Sequence, residues 1–224
     1  MYCHRALLKS PLIMGTDITL MTPQTLSIYS NPAILAISQD PLGMPAFRVW
    51  ERPGQTENNT SSADLYSANT TSFWTGKLNG GDQVVAFVNA GPGATSMIAS
   101  MEDVFVDLVT TGSSAPVPQL MQTWDVYDLW ANRMSDVAAQ AFINGTATGN
   151  GTMAFNTTMS ATTFNSTEMS YAKGLAANNT ALLGLKTMTI AAMGTMQVQV
   201  PSHGVAAYRL RSQGGGMMQK RDEL

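Results

Sequence analysis

The chain has 224 residues, 44% of them hydrophobic, and a formal net charge of -3. That length suits one or two domains, and the weakly acidic balance leaves no basic footprint for nucleic acid. No run of about 18 apolar residues occurs, so no membrane-spanning helix is expected; the single cysteine, Cys3, excludes an internal disulfide and a cysteine-based zinc site.

The charged share, 12%, is about half the usual value, and Ser, Thr, Asn and Gly fill the gap. Residues 5–9 read as the end of a helix, because Pro11 cannot continue one. The apolar run Leu12-Ile13-Met14-Gly15 predicts a parallel strand buried on both faces. Thr22 before Pro23 is a hydroxyl N-cap followed by proline at the first helical position, and Leu26 with Ile28 or Tyr29 gives that helix its apolar face. Asn31-Pro32 breaks it, and Ala33–Ile37 follows as a second short apolar turn. Helix, strand and helix in this order make one and a half units of an α/β barrel or open sheet.

Pro41 to Pro45 marks a boundary, after which short β-rich runs alternate with turn residues. Strands are expected over residues 46–51, 71–78, 83–89, 95–100, 122–130, 188–193, 195–200 and 201–210. Asn79-Gly80-Gly81-Asp82 is a hairpin signal. Val104–Val109 reads as a helical turn leading into strand, residues 54–71 and 110–119 as loops, and residues 144–181 as a low-complexity decorated loop or weak edge strands. Strands at this spacing predict an antiparallel sandwich.

Asn-x-Ser/Thr sequons stand at Asn58, Asn59, Asn69, Asn144, Asn150, Asn156, Asn165 and Asn178. They point to glycosylation in the secretory route. The terminal Arg221-Asp222-Glu223-Leu224 resembles an endoplasmic-reticulum retrieval signal. Met1–Arg5 is not a signal peptide, which predicts that a secretory chain of this kind lacks its N-terminus here.

Lys9-Ser10-Pro11-Leu12-Ile13-Met14-Gly15-Thr16-Asp17-Ile18, then Asn31-Pro32 and Ala36-Ile37-Ser38-Gln39-Asp40-Pro41-Leu42-Gly43, resemble the end of the catalytic barrel in α-galactosidases of glycoside hydrolase family 27. Val126–Trp130 and Val200–Leu210 resemble that family's C-terminal domain, and the long polar loops resemble its fungal secreted branch. The resemblance implies a (β/α)₈ barrel followed by an antiparallel β-sandwich, with residues 1–45 a remnant of the barrel, 46–211 the sandwich and 212–224 a flexible tail. It implies retaining hydrolysis of terminal non-reducing α-D-galactose from oligosaccharides, galactomannans or glycolipids. Two aspartates would work about 5–5.5 Å apart across the scissile bond. Their motifs are absent, so no catalytic residue is carried over; nucleophile and acid/base are expected upstream of Met1, and the chain by itself is expected to be inactive. The rival expectation is a non-catalytic, glycosylated carbohydrate-binding or structural module of the secretory pathway. No cofactor or metal is expected.

Asp17 would stand just past the last barrel strand, at the rim where barrel sites form. It is a candidate substrate contact, and its carboxylate also suits a strand-to-helix turn. Asp40, before Pro41, is expected to fix the junction between the regions, and His203 to bond nearby backbone through its ring in a Pro-Ser-His-Gly turn. Trp50, Trp74, Trp124 and Trp130 are expected in the sandwich core rather than on a sugar-stacking platform.

Overall fold

Polar caps set the helix starts in the computed structural model, which describes residues 2–53, 70–109, 117–145 and 164–213. After α1 (Tyr2–Leu7), Asp17 caps a 3₁₀ turn, Ile18–Leu20. Thr22 caps α2 (Pro23–Tyr29) with proline in the first turn as predicted, and Asn31-Pro32, read above as a break, is itself the capped start of α3 (Pro32–Ser38). Further on come β1 (Phe47–Pro53), β2 (Thr70–Lys77), β3 (Gln83–Asn89) and β4 (Thr95–Ser100). α4 (Met101–Val104), α5 (Val106–Val109), β5 (Trp124–Asp128) and α6 (Asp136–Ile143) follow. The chain continues through α7 (Tyr171–Ala176), α8 (Thr180–Leu183), β6 (Leu185–Ile190), β7 (Thr195–Val200) and β8 (Val205–Ser212).

Packing divides the chain into two units: Met1–Pro45 with Tyr127–Lys186, and Ala46–Val126 with Thr187–Leu224. The second is the antiparallel sandwich. Its strands belong to a six-stranded sheet ordered β1-β2-β3-β8-β5-β6 and a two-stranded sheet of β4 and β7. β1/β2, β2/β3, β3/β8 and β4/β7 pair antiparallel. β7 alternates strictly, exposing Thr195, Gln197 and Gln199 and burying Met196, Val198 and Val200. That period of two is what a half-buried strand requires. Those three side chains join Phe73, Phe87, Met97, Phe105, Trp124, Tyr208 and Leu210 in one core between the sheets. Fully burying a side chain of this size is worth about 1.5–3 kcal/mol. Gly80 and Gly81 take φ of +77° and +85° between β2 and β3, which is why a Gly-Gly pair marks this turn. A one-residue bulge between Arg48 and Trp50 lets Trp50 stack on Phe73, ring centroids 5.7 Å apart.

The first unit is helical. α1 lies on α3, α2 on α6, and both α3 and α7 on α8. Ala36 of α3 packs with Leu175, Leu182 and Leu183, against Tyr127, Phe164 and Tyr171. Leu26 packs on Met134 and Ala139. Asn31 ties distant segments together: its Oδ1 accepts from Ala33 N at 3.0 Å and Ile34 N at 3.4 Å, while its Nδ2 donates to Leu129 O at 2.9 Å. All of it is buried, so every polar atom of the amide needs these partners.

Several expectations are corrected. Leu12–Gly15 forms no strand, and Ile13 and Met14 are 74% and 52% exposed. A parallel strand exists only through ladder bonds to neighbours, and among the described residues none lies in register with it. Residues 127–186 pack with the first 45 residues rather than joining the sandwich. Within them, residues 164–183 carry two helices in place of loop or edge strands, because Ser170 and Asn179 cap them and Leu175, Leu182 and Leu183 give them a buried face. Residues 104–109 are two helical turns rather than a lead into strand. The strand expected over 122–130 stops at Asp128, whose Oδ1 accepts from Trp130 N at 2.7 Å and Ala131 N at 3.2 Å and so bends the chain. The strand expected over 188–193 runs instead from Leu185 to Ile190 and ends in a turn. The tail from residue 214 lies outside the described residues.

Candidate functional site

Asp17, expected at the barrel rim, and Asp40, expected at the junction, are each engaged with their own turn. Asp17 Oδ1 accepts from Thr19 N at 2.8 Å and from Thr19 Oγ1 at 2.7 Å. These bonds, the hydroxyl's first, lower the pKa of this fully exposed carboxyl, so it is held ionised as a cap. The turn-holding role is the one its contacts describe. Asp40 is buried; its Oδ1 accepts from Leu42 N at 3.1 Å and its carbonyl from Gly43 N at 3.0 Å. It closes the Asp40–Gly43 turn. Neither carboxylate is poised as a nucleophile or a shared-proton acid.

His203 holds its turn by a different atom from the one expected. Its backbone N–H, not its ring, donates to Gly91 O at 3.1 Å, with φ at +50° and the side chain exposed. Among the described residues, no group of three or more His, Cys, Asp or Glu side chains converges as a metal would need. Cys3 is buried in α1, and burial pushes its thiol up from 9.0 to about 12, which leaves it inert at neutral pH. Burial also lowers the pKa of His4.

The strongest electrostatic feature was not singled out by the sequence. Asp82 Oδ2 receives Arg209 Nη1 at 2.8 Å and Arg211 Nη2 at 2.7 Å, and Arg209 is fully buried. The signal that could have found it is a second arginine two residues on in a strand otherwise apolar. One carboxylate serving two guanidiniums inside a sandwich is an anchor between the β2–β3 turn and β8, not a catalytic constellation.

The four tryptophans separate. Trp124 is core, 2% exposed, with its indole N–H donating to Gln119 O at 2.9 Å. Trp50 and Trp74 are half-buried at the β1–β2 edge of the sandwich, with Arg52 4.1 Å over the Trp50 ring and the Trp74 N–H on Ser72 Oγ at 3.0 Å. Trp130 is not sandwich core at all. It belongs to the helical unit, because the Asp128 turn carries it away from β5. There it lines a groove of about 410 Å³ together with Ala131, Arg133, Met134, Asp136 and Val137.

Of the sequons, Asn144, Asn165 and Asn178 are described and all three are exposed. Asn165 Oδ1 accepts from the backbone N–H of Thr167 at 3.1 Å and from its hydroxyl, the sequon's own. Asn178 stands at φ +56°, one residue before Asn179, the N-cap of α8. Asn58, Asn59, Asn69, Asn150 and Asn156 lie outside the described residues, as does the terminal Arg221–Leu224.

Residues 68–157 match the family model described as the α-galactosidase C-terminal beta sandwich domain. The chain is 43% identical over 208 residues to an α-galactosidase of Zygotorulaspora mrakii, a match covering 93% of this chain and 40% of that one. To α-galactosidase 2 of Saccharomyces cerevisiae it is 38% identical over 206 residues, covering 92% and 39%. A solved α-galactosidase structure from Saccharomyces cerevisiae superposes with a TM-score of 0.78 at 36% identity, over 95% of this chain and 42% of that one. α-Galactosidase I of Mortierella vinacea shares the fold, with a TM-score of 0.55 at 21% identity. The chain therefore spans about 40% of the length of the curated relatives it matches. Sequence and fold agree: over nearly its whole length the chain is homologous to the C-terminal region of yeast α-galactosidases.

Proposed function

We propose that this chain is the C-terminal sandwich, with the closing segment of a (β/α)₈ barrel, of a retaining α-galactosidase that removes terminal α-D-galactose, and that the chain by itself does not turn over. The observation that carries this reading is the apolar strip left uncovered in residues 12–20. Ile13, Ile18 and Leu20 are 74%, 70% and 78% exposed, although Leu12–Gly15 has the composition of a doubly buried strand. Such a strip belongs inside a sheet whose other strands come from the portion of the relatives that this chain does not span. The catalytic aspartate pair belongs to that portion, since Asp17 and Asp40 are committed to their turns. Residues 1–45, with residues 127–186 packed on them, thereby serve the barrel side, and Ala46–Val126 with the strands from Thr187 to Ser212 serve as the C-terminal sandwich. A secretory location accords with the exposed sequons at Asn144, Asn165 and Asn178.

The test is hydrolysis of a chromogenic α-galactoside by the purified 224-residue chain. No release above the blank is expected. Turnover that survives repurification would overturn the reading, because it would require a carboxylate pair inside this chain. Treatment of secreted material with an N-glycan-removing enzyme should lower its mass; an unchanged mass would sink the glycoprotein part alone.

A further inference from the structure

The sequon Asn165-Ser166-Thr167 is folded on itself. Asn165 Oδ1 accepts from Thr167 N at 3.1 Å and from the Thr167 hydroxyl. The Asn165 carbonyl accepts from Glu168 N at 3.3 Å and Met169 N at 3.2 Å. All of these partners lie within four residues, so the turn needs no distant segment to form. Two further contacts hold it against the start of α7: Phe164 packs on Tyr171 with ring centroids 5.2 Å apart, and the Ser166 side chain bonds to that of Tyr171. Residues 165–170 are all exposed, which leaves space around the sequon for a branched sugar.

An N-glycan is attached when a carboxamide nitrogen attacks the anomeric carbon of an oligosaccharide carried on a lipid pyrophosphate. The Nδ2–C1 bond forms, the C1–O bond breaks, the pyrophosphate leaves with the electron pair, and one amide proton passes to solvent. An amide nitrogen is a poor nucleophile, because its lone pair is delocalised into the carbonyl. The acceptor motif therefore carries a hydroxyl two residues on, and the Asn165 turn already sets that hydroxyl on the carboxamide. Oδ1 is taken by both Thr167 donors, while Nδ2 has no acceptor among the described residues. The other two described sequons are arranged differently. Asn144 Oδ1 accepts from Gln140 Nε2 at 2.9 Å, back along α6. Asn178 N donates to Leu175 O at 3.1 Å in the link between α7 and α8. Its sequon partner Thr180 is already the first residue of α8, and the Thr180 carbonyl accepts from the distant Asn132 Nδ2 at 3.1 Å.

We infer that Asn165 is the N-glycan acceptor of the helical unit, filled ahead of Asn144 and Asn178. Only its occurrence in the cell rests on the secretory reading above. Translation of the full chain behind a cleavable signal sequence into microsomes tests it, because the leader brings every sequon to the transferase wherever the natural protein resides. Trimming with an endoglycosidase leaves one N-acetylglucosamine on each occupied asparagine, and peptide mass spectrometry then reads occupancy site by site. The Asn165 peptide should carry the tag at the highest occupancy of the three. T167V, which keeps a β-branched side chain but removes the hydroxyl, should lose the tag at Asn165 and leave Asn144 and Asn178 as in the parent. An untagged Asn165, a tag that survives T167V, or a higher occupancy at Asn144 or Asn178 would overturn the inference. Glycan removal from naturally secreted material bears on the preceding reading and not on this one, so the two can fail separately.

Discussion

Replacing Asp82 by Asn removes the one negative charge on which two arginines converge. Asp82 Oδ2 lies 2.8 Å from Arg209 Nη1 and 2.7 Å from Arg211 Nη2, and its Oδ1 accepts from Arg211 Nε at 3.0 Å. The side chains are 5% exposed for Asp82, 0% for Arg209 and 24% for Arg211. At an effective dielectric near 20, unit charges 2.8 Å apart attract by roughly 6 kcal/mol. The amide keeps the shape and one acceptor, so part of the hydrogen bonding survives, but Arg209 cannot lose its proton and stays charged in the interior. Stranding a buried ion in this way costs about 3–5 kcal/mol, and D82N should destabilise the sandwich unit by that amount. The reverse change should be milder. R209M leaves Asp82 paired with Arg211, which can also reach water, and the double variant D82L/R209M should recover most of the loss, because an apolar pair of similar volume replaces a desolvated one. Urea unfolding followed by tryptophan fluorescence reads this, since three of the four indoles, those of Trp50, Trp74 and Trp124, belong to the sandwich unit. A D82N midpoint within about 1 kcal/mol of the parent at unchanged m-value, or R209M costing more than D82N, would refute the assignment.

Two further outcomes are expected. Asn31→Ala removes the α3 cap, worth about 1 kcal/mol, and strands the Leu129 carbonyl that Asn31 Nδ2 now reaches at 2.9 Å, worth about 1–3 kcal/mol more. Far-UV circular dichroism in urea should show the combined loss; a variant as stable as the parent would show that α3 does not depend on that amide. The Cys3 thiol is raised from 9.0 to about 12 by burial, so folding favours its protonated form. Its contribution to stability is complete below pH 9.0 and is lost as pH rises toward about 12. Unfolding midpoints taken across that window should fall less steeply in Cys3→Ala than in the parent, and iodoacetamide at mildly alkaline pH should label Cys3 only in denaturant. Labelling of the native chain at the denatured rate would contradict the burial.

How much could be read in advance depended on the range of the interaction. The Thr22-Pro23 start was legible because a cap acts within three residues, Thr22 Oγ1 on Thr25 N at 3.2 Å; Asn31-Pro32 was legible as the end of α2, while the same Asn31 Oδ1 also caps α3 through Ala33 N and Ile34 N. The sandwich strands were legible for the same kind of reason: a period of two along β7 and a Gly-Gly turn after β2 are local signals. The helices at Tyr171–Ala176 and Thr180–Leu183 were not, because a Ser/Thr/Asn-rich stretch favours loop locally. They are held by Leu175, Leu182 and Leu183 packing on Ala36, which lies far back in the chain. Residues 12–15 were misread in the opposite sense: the composition of a buried strand is local, but a ladder needs partners.

The amino-acid sequence by itself made legible the resemblance to α-galactosidases, the antiparallel sandwich and the Thr22-Pro23 helix start, since each rests on a contiguous run of residues. Tertiary structure decided what joins distant positions. Arg209 meets Asp82 across 127 residues of sequence, Asn31 meets Leu129 across 98, and residues 127–186 pack with the first 45 residues. The Trp130 groove depends on tertiary structure as well. Its residues are neighbours in sequence, but the packing that takes Trp130 out of the sandwich and into the helical unit is set by distant segments that no local pattern encodes.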